Sequence, residues 1–227
     1  MNVRITHLLL SCTLVLICHT LVGQDWPNLN KYAEANTQIT DKETGRVVFM
    51  GNSITEGWGY ADADFFKGKP YVNRGISGQT TPQMLIRFRQ DVVDLNPEAV
   101  VILAGTNDIA GNTGPSTLKM IADNIFSMAE IAHANGIKVV ICSVLPVYDY
   151  PWKPGLEPAG KIIRLNQMLR NYADSKGHYY LDYHSAMKDE RNGLPKEYAT
   201  DEVHPTKEGY LVMGEMVETL LSSILTK

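Results

Sequence analysis

A serine, a histidine and a carboxylate, the three side chains of nucleophilic serine catalysis, occur here in a suggestive arrangement. Asp201 precedes His204 by three residues, so its carboxylate can orient the imidazole through one ring nitrogen and leave the other facing a serine. Ser53 follows an apolar run at a predicted helix start, where its backbone N–H can bind a developing negative charge. Taken alone, Ser53 is better explained as a helix N-cap; with Asp201 and His204 it predicts a nucleophile, a base and an orienting acid.

Five apolar segments alternate with polar and helical segments, and these elements must position the three residues. The alternation is typical of a parallel sheet covered on both faces, so we predict an α/β fold: one three-layer α/β/α sandwich with a five-stranded parallel sheet. Because the carboxyl ends of parallel strands share one edge, Ser53, Gly78 and Asn107 should converge there. The predicted strands are residues 47–50, 71–73, 99–104, 137–145 and 178–183, and helical segments are predicted near Thr81, Leu118, Ile162 and Pro205.

Length and composition are those of one ordinary globular domain. The chain has 227 residues, of which 44% are hydrophobic and 20% charged, and a net charge of −4. It has no basic stripe, so nucleic acid is not expected as a partner. The composition does not indicate an oligomeric state. Cys142 lies within a predicted strand, where a buried inert thiol is expected rather than a nucleophile.

The first 23 residues differ in character from the rest of the chain. One positive charge near the start is followed by a mostly apolar run, which predicts a signal peptide cleaved near Gly23 and a secreted or periplasmic protein. The run is short for a membrane span, although an uncleaved anchor is the alternative. The predicted mature domain is residues 24–227, with no stable membrane insertion after cleavage.

Four short motifs resemble, in family order, the four sequence blocks of the GDSL, or SGNH, hydrolases. Similar family members include secreted bacterial acylhydrolases and platelet-activating-factor acetylhydrolase-like esterases. The resemblance implies a flavodoxin-like sheet and a serine esterase without cofactors, acting on short acyl groups, acetyl above all. The substrate would be a small-molecule ester or an ester on carbohydrate. The motifs are residues 51–55, residues 76–78, residues 105–108 and Asp201-x-x-His204.

The same resemblance implies a role for each matching residue. Ser53 would be the nucleophile, His204 the base and Asp201 the orienting acid. The Ser53 N–H, the Gly78 N–H and the Asn107 side-chain amide would form the oxyanion hole. The chain departs from many relatives in having Asn52 where they have Asp, which leaves the nucleophile intact but puts a local carboxylate contact in doubt.

Several of these residues also have simpler explanations. Gly78 is explained singly as a turn glycine and Asn107 as a loop cap. Asp182 and His184, at the end of the fifth predicted strand, are a rival acid–base pair. His133 and His178 are expected to be structural or exposed. No spacing of His, Cys and carboxylate residues is typical of a metal site, so no metal is predicted.

Aromatic residues near the predicted sheet edge are candidates for substrate binding, and two other functions stay open. The candidates are Trp58, Tyr148 and Trp152; the last two lie in a proline-rich loop that can stack on a sugar, shape an acyl pocket or simply pack over the sheet. One alternative function is a flavodoxin-like phosphate or mononucleotide binder, with residues 52–55 holding phosphate. The other is a secreted carbohydrate-binding protein that has lost catalysis.

Overall fold

Five parallel strands form one sheet in the computed structural model, which describes residues 24–39 and 44–225. The strand order is β2-β1-β3-β4-β5, and every neighbouring pair is parallel. This confirms the predicted five-stranded parallel sheet. The predicted signal peptide, residues 1–23, lies outside the described residues. The strands are β1 Val47–Gly51, β2 Tyr71–Gly75, β3 Ala99–Leu103, β4 Lys138–Cys142 and β5 Tyr179–Leu181.

Eight α-helices occur within the described ranges. None of them is long and apolar enough to cross a bilayer, as far as the described residues go. Two single turns of 3₁₀ helix are formed by Ala63–Phe65 and Val93–Leu95. The α-helices are α1 Ala33–Thr37, α2 Ser53–Ala61, α3 Thr81–Asp91, α4 Thr106–Ala110, α5 Leu118–Ala134, α6 Pro158–Lys176, α7 Tyr183–Met187 and α8 Lys207–Ile224.

Alternate side chains of the strands build two hydrophobic cores, one on each face of the sheet. In β1, Val48 and Met50 pack into the core that also contains residues of α3, α5 and α6. Val47 and Phe49 pack into the core on the other face, with residues of α2, α7 and α8. β1 is therefore buried on both sides, as its continuous apolar run indicates. The two cores confirm the three-layer α/β/α sandwich.

Capping side chains place several element boundaries away from the predicted ones. α3 is capped by Thr80 rather than Thr81, because Thr80 and Gln83 form a capping box. The fifth strand ends at Leu181, since Asp182 caps α7 by accepting the Ser185 N–H (3.1 Å). α8 begins at Lys207 instead of Pro205, because the Thr206 hydroxyl accepts the Gly209 N–H (3.2 Å).

A segment before the sheet, residues 24–39, packs against α3 and the loop that precedes it; we call it the lead-in segment. It contains the short α1. Three glutamine side chains hold it by donating to its backbone carbonyl oxygens. The donors are Gln83 to Trp26 O (2.8 Å), Gln79 to Pro27 O (2.6 Å) and Gln90 to Leu29 O (2.6 Å).

Candidate active site

Ser53 stands at the carboxyl end of β1, where the chain turns into α2. Gly51 ends the strand, and a Cβ there would lie 2.0 Å from Thr55 Oγ1, so only glycine fits this turn. Asn52 caps α2, because its side-chain amide oxygen accepts the Ile54 N–H (3.0 Å). Ser53 is the first helical residue, so its own N–H has no acceptor within the helix and points out of the positive helix end.

His204 reaches Ser53 from the loop before α8, across 151 positions of sequence. Its Nε2 lies 2.9 Å from Ser53 Oγ, and its Nδ1 lies 2.6 Å from Asp201 Oδ2. The other carboxylate oxygen, Oδ1, accepts the backbone N–H groups of His204 (2.7 Å) and Val203 (3.0 Å). Against an ionised Asp201, Nδ1 carries the proton and Nε2 is left to accept from the serine hydroxyl.

The same hydrogen bonds keep Asp201 ionised. Partial burial raises the pKa of Asp201, but hydrogen bonds from the His204 N–H, the His204 ring and the Val203 N–H outweigh it, so the pKa lies below its ordinary value. Asp201 is therefore a carboxylate at neutral pH, which is the form that fixes the histidine tautomer.

The loops after β2 and β3 are bonded to each other beside Ser53's strand. Asn107, at the start of α4, is buried and donates one amide hydrogen to Gln79 O (3.0 Å), which leaves its second amide hydrogen for another acceptor. Asn112 donates to Gly78 O (3.2 Å). Gly78 adopts φ +77°, a conformation that favours glycine. The Ile76 N–H donates to Gly51 O (3.1 Å), so this loop is also tied to the turn before Ser53.

A buried arginine, which the sequence analysis missed, connects the turn after β1 to β2 and to the loop that follows β2. Arg87 of α3 is 0% exposed and donates through one terminal nitrogen to Gly51 O (3.0 Å) and Arg74 O (2.9 Å). Its Nε donates to Gln79 Oε1 (2.6 Å), and Asp91 Oδ2, 3.0 Å away, balances its charge. The spacing of residues in α3 could have predicted its burial, because Arg87 and Asp91 recur at helical intervals with the apolar residues of the buried helix face.

Asp108, next to Asn107, is a buried carboxyl with one dedicated partner. Its two oxygens accept the Thr81 N–H (3.0 Å each), and Oδ1 also accepts the Thr81 hydroxyl (2.6 Å). Burial outweighs these bonds and raises the pKa of Asp108 to about 6.

The raised pKa of Asp108 predicts a pH-dependent contribution to stability. The pKa of Asp108 is about 6 in the folded protein and 3.8 for an unperturbed aspartate, so the folded state binds the proton more tightly than the unfolded chain. The stabilisation from this proton is therefore present at low pH and is lost as the pH rises to about 6. Two pKa units correspond to roughly 3 kcal/mol. We expect the free energy of unfolding of the wild type, relative to Asp108→Asn, to fall by up to that amount between about pH 4 and about pH 6.5 in urea titrations. A difference independent of pH would contradict this.

Trp58 is not available to a substrate, so its predicted binding role is wrong. It is 2% exposed and stacks on Phe65 (ring centroids 4.4 Å apart) and on Tyr210 of α8 (5.5 Å). Trp58 lies four residues after the buried Ile54, on the same face of α2. It is a core residue.

The proline-rich loop places its aromatic residues differently. Trp152 is 49% exposed, and its ring lies 6.2 Å from the His204 ring. Tyr150 beside it is buried, with its hydroxyl bonded to Thr106. Tyr148 is exposed, and the Arg191 guanidinium lies 5.0 Å from the centre of its ring. Of the three candidates, Trp152 is thus the one in contact range of the histidine.

Asp182 and His184, the rival acid–base pair, are engaged elsewhere. Asp182 accepts from Ser185 at the start of α7 and pairs with Arg170. His184 is buried, which lowers its pKa, and its backbone N–H donates to Ser143 Oγ (2.8 Å). The ring that reaches Ser53 is that of His204. Within residues 24–39 and 44–225, no group of three or more His, Cys, Asp and Glu side chains is arranged to hold a metal ion.

A hydrogen-bonded Ser–His–Asp triad at the carboxyl edge of a parallel α/β sheet is the arrangement of a serine hydrolase. The sequence model of the GDSL-like lipase/acylhydrolase family matches residues 49–212, and the chain belongs to this family. Membership favours a hydrolase over the phosphate-binding alternative.

Two solved structures and one curated protein are similar to this chain to different degrees. A Bacteroides fragilis protein assigned as an acylhydrolase is 45% identical, with a TM-score of 0.87, over 90% of this chain and 100% of that one. The lipoprotein YqeF of Bacillus subtilis, uncharacterised, is 31% identical over 120 residues, 45% of this chain and 49% of that protein, so the match spans about half of its length. The acetyl xylan esterase AlAXEase, 19% identical with a TM-score of 0.63 over 77% of this chain and 98% of its own, shares the fold.

Proposed function

We propose that this protein hydrolyses short acyl esters, and acetyl esters of carbohydrates in particular, through an acyl-enzyme on Ser53. The observation that carries the proposal is the 2.9 Å contact between Ser53 Oγ and His204 Nε2, with Asp201 2.6 Å behind the ring. A serine hydroxyl is a weak nucleophile until an adjacent base accepts its proton, and this contact supplies that base.

In the first step, Ser53 Oγ attacks the ester carbonyl carbon while its proton passes to His204 Nε2. Asp201 stabilises the resulting imidazolium through Nδ1. The tetrahedral intermediate then collapses: the bond to the alcohol oxygen breaks, and His204 donates its proton to that oxygen. Water enters, loses a proton to His204 and attacks the acyl carbon. The bond from the acyl carbon to Ser53 Oγ then breaks, and His204 returns the proton to Oγ, which releases the acid and restores Ser53.

The oxyanion of the intermediate needs donors that are already in place. The proposed donors are the Ser53 N–H at the helix start, the Gly78 N–H and the second amide hydrogen of Asn107. The bonds of Asn107 to Gln79 O and of Arg87 to Gln79 Oε1 support this, because they fix the loop and the amide before substrate arrives.

We expect Asn107→Ala to lower kcat by about 10² to 10³-fold while KM changes little. The reason is that the oxyanion exists in the transition state and intermediate but not in the bound ester. Steady-state hydrolysis of p-nitrophenyl acetate measures both constants. Asn135→Ala, at the exposed carboxyl end of α5, removes an amide far from the site and should leave kcat unchanged. An unchanged kcat in Asn107→Ala would reduce Asn107 to a loop cap.

Carbohydrate acetyl esters are proposed as substrates on two grounds. The acetyl xylan esterase AlAXEase shares the fold. In addition, Trp152 presents a half-exposed indole beside His204, and His204 must face the leaving alcohol in order to protonate it. An aromatic face at that position suits the C–H face of a sugar ring.

An extracytoplasmic location is part of the proposal. It is supported by the signal-peptide pattern of residues 1–23 and by the similarity to YqeF, which is a lipoprotein. A glycan substrate outside the cytoplasm is consistent with this location.

A substrate panel tests the proposal. The p-nitrophenyl esters of acetate, butyrate and octanoate report the acyl preference, and acetate released from acetylated xylooligosaccharides reports the alcohol. We expect the acetate ester to be preferred and acetate to be released from the glycan. Preference for octanoate would overturn the short-acyl assignment, and failure to release acetate from the acetylated xylooligosaccharides would overturn the carbohydrate assignment.

A further inference from the structure

A cleft of about 350 Å³ opens directly beside Gly78. The lead-in segment lines it with Asp25, Trp26 and Asn28, and the rest of the lining includes Gln83 and Asn112. Because Gly78 lines the cleft and is also a proposed oxyanion donor, the cleft adjoins the proposed oxyanion hole.

The lead-in wall is fixed before any ligand binds. Asp25 accepts the N–H groups of Leu29 (2.8 Å) and Asn30 (3.0 Å), which closes a turn. The backbone carbonyl of Trp26 is held by Gln83, while its indole remains 41% exposed. A large aromatic side chain on a pinned backbone is a preorganised contact surface.

The cleft has the chemistry of a sugar site rather than of an acyl pocket. Four amide side chains, the Asp25 carboxylate and the hydroxyls of Ser77 and Thr113 line it, together with Ile76 and one indole. Such a lining, mostly polar with one aromatic face, suits a sugar better than an acyl chain. Hydrogen bonds from the Asn30 and Leu29 N–H groups hold the pKa of Asp25 below its ordinary value, so its negative charge disfavours an anionic sugar. The volume lies within the range of small-molecule sites, roughly 300 to 1,000 Å³.

We propose that this cleft binds a neutral sugar unit of the glycan whose acetyl ester Ser53 hydrolyses, with Trp26 stacked on the sugar ring. The inference rests on the proposed function for the identity of the ester. The wall that carries Trp26 lies outside residues 49–212, the part of the chain that matches the family, whereas Gly78, Gln83 and Asn112 lie within it.

Trp26→Ala tests the subsite kinetically. We expect kcat/KM for an acetylated xylooligosaccharide to fall about three- to tenfold, mainly through KM, with p-nitrophenyl acetate hydrolysis unchanged. Tyr179→Ala is the matched control, since Tyr179 is an exposed aromatic residue at the amino end of β5, the opposite sheet edge. It should change neither activity. Equal losses on both substrates in Trp26→Ala would indicate a structural role and overturn the inference.

A binding measurement separates this inference from the proposed function. An unacetylated xylooligosaccharide is titrated calorimetrically into Ser53→Ala and into Ser53→Ala/Trp26→Ala. Binding to the first that is weakened in the second supports the subsite even if the wild type hydrolyses no ester, in which case the proposed function alone fails. Absence of binding to Ser53→Ala, or equal binding to both proteins, overturns the subsite even if esterase activity is confirmed.

Discussion

Ser53→Ala and His204→Ala should each lower kcat for p-nitrophenyl acetate by about 10⁴ to 10⁶-fold. Either change removes the nucleophile or the base of one proton-transfer unit, so the double variant should be little slower than the single ones. The activity that remains over water would come from the oxyanion donors and from substrate binding.

The fold should survive the loss of the Ser53 hydroxyl. The helix that begins at Ser53 is capped by Asn52, and the hydroxyl itself bonds to His204 rather than to the backbone. Circular dichroism and the thermal midpoint check this. Ser127→Ala, which removes a serine hydroxyl on the surface of α5, is the control and should keep full activity. Rapid turnover by a correctly folded Ser53→Ala protein would show that Ser53 is not the nucleophile.

Asp201→Asn should lower kcat by about 10⁴-fold, although it replaces the carboxylate with a group of the same shape. The backbone N–H groups of Val203 and His204 both donate to Oδ1, so the amide oxygen of an asparagine must occupy that position. Its NH₂ group then faces His204 Nδ1. A donor there stabilises the tautomer with its proton on Nε2, which is unable to accept from Ser53.

Asp182→Asn is the matched control for the acid. Asp182 caps α7 and pairs with Arg170, so its replacement should affect the local helix and leave kcat nearly unchanged. Kinetics of both variants on p-nitrophenyl acetate make the comparison. A large loss of kcat in Asp182→Asn, together with a nearly unchanged kcat in Asp201→Asn, would mean that the wrong carboxylate has been assigned.

The central strands and long helices could be predicted because their hydrophobic patterns persist over several residues. β1 and β3 are continuous apolar runs, and α5 repeats apolar residues at helical spacing. The short α4 and α7 were not predicted, since five residues hold little more than one turn and show no period. Helix starts shifted by one or two residues because the sequence offers adjacent capping candidates, such as Thr80 and Thr81.

The candidate site was predictable to the extent that its residues belong to short motifs. Ser53 and His204 are far apart in sequence, and their meeting follows from the motif order and the shared sheet edge. Trp58 was placed wrongly because nearness to Ser53 along the chain does not say which face of α2 points inward. Arg87 and the cleft beside Gly78 were missed, since their contacts are made largely to backbone carbonyl groups, which leave no pattern in the sequence.

That mode of attachment has a bearing on how such proteins diverge. Gln79, Gln83 and Gln90 hold the lead-in segment by the carbonyl oxygens of Pro27, Trp26 and Leu29, and a carbonyl oxygen is common to all twenty amino acids. Mutations that alter the lead-in side chains can therefore accumulate while the segment stays docked. A lineage can in this way change the side chains beside Gly78 without disturbing the hydrogen bonds among Ser53, His204 and Asp201.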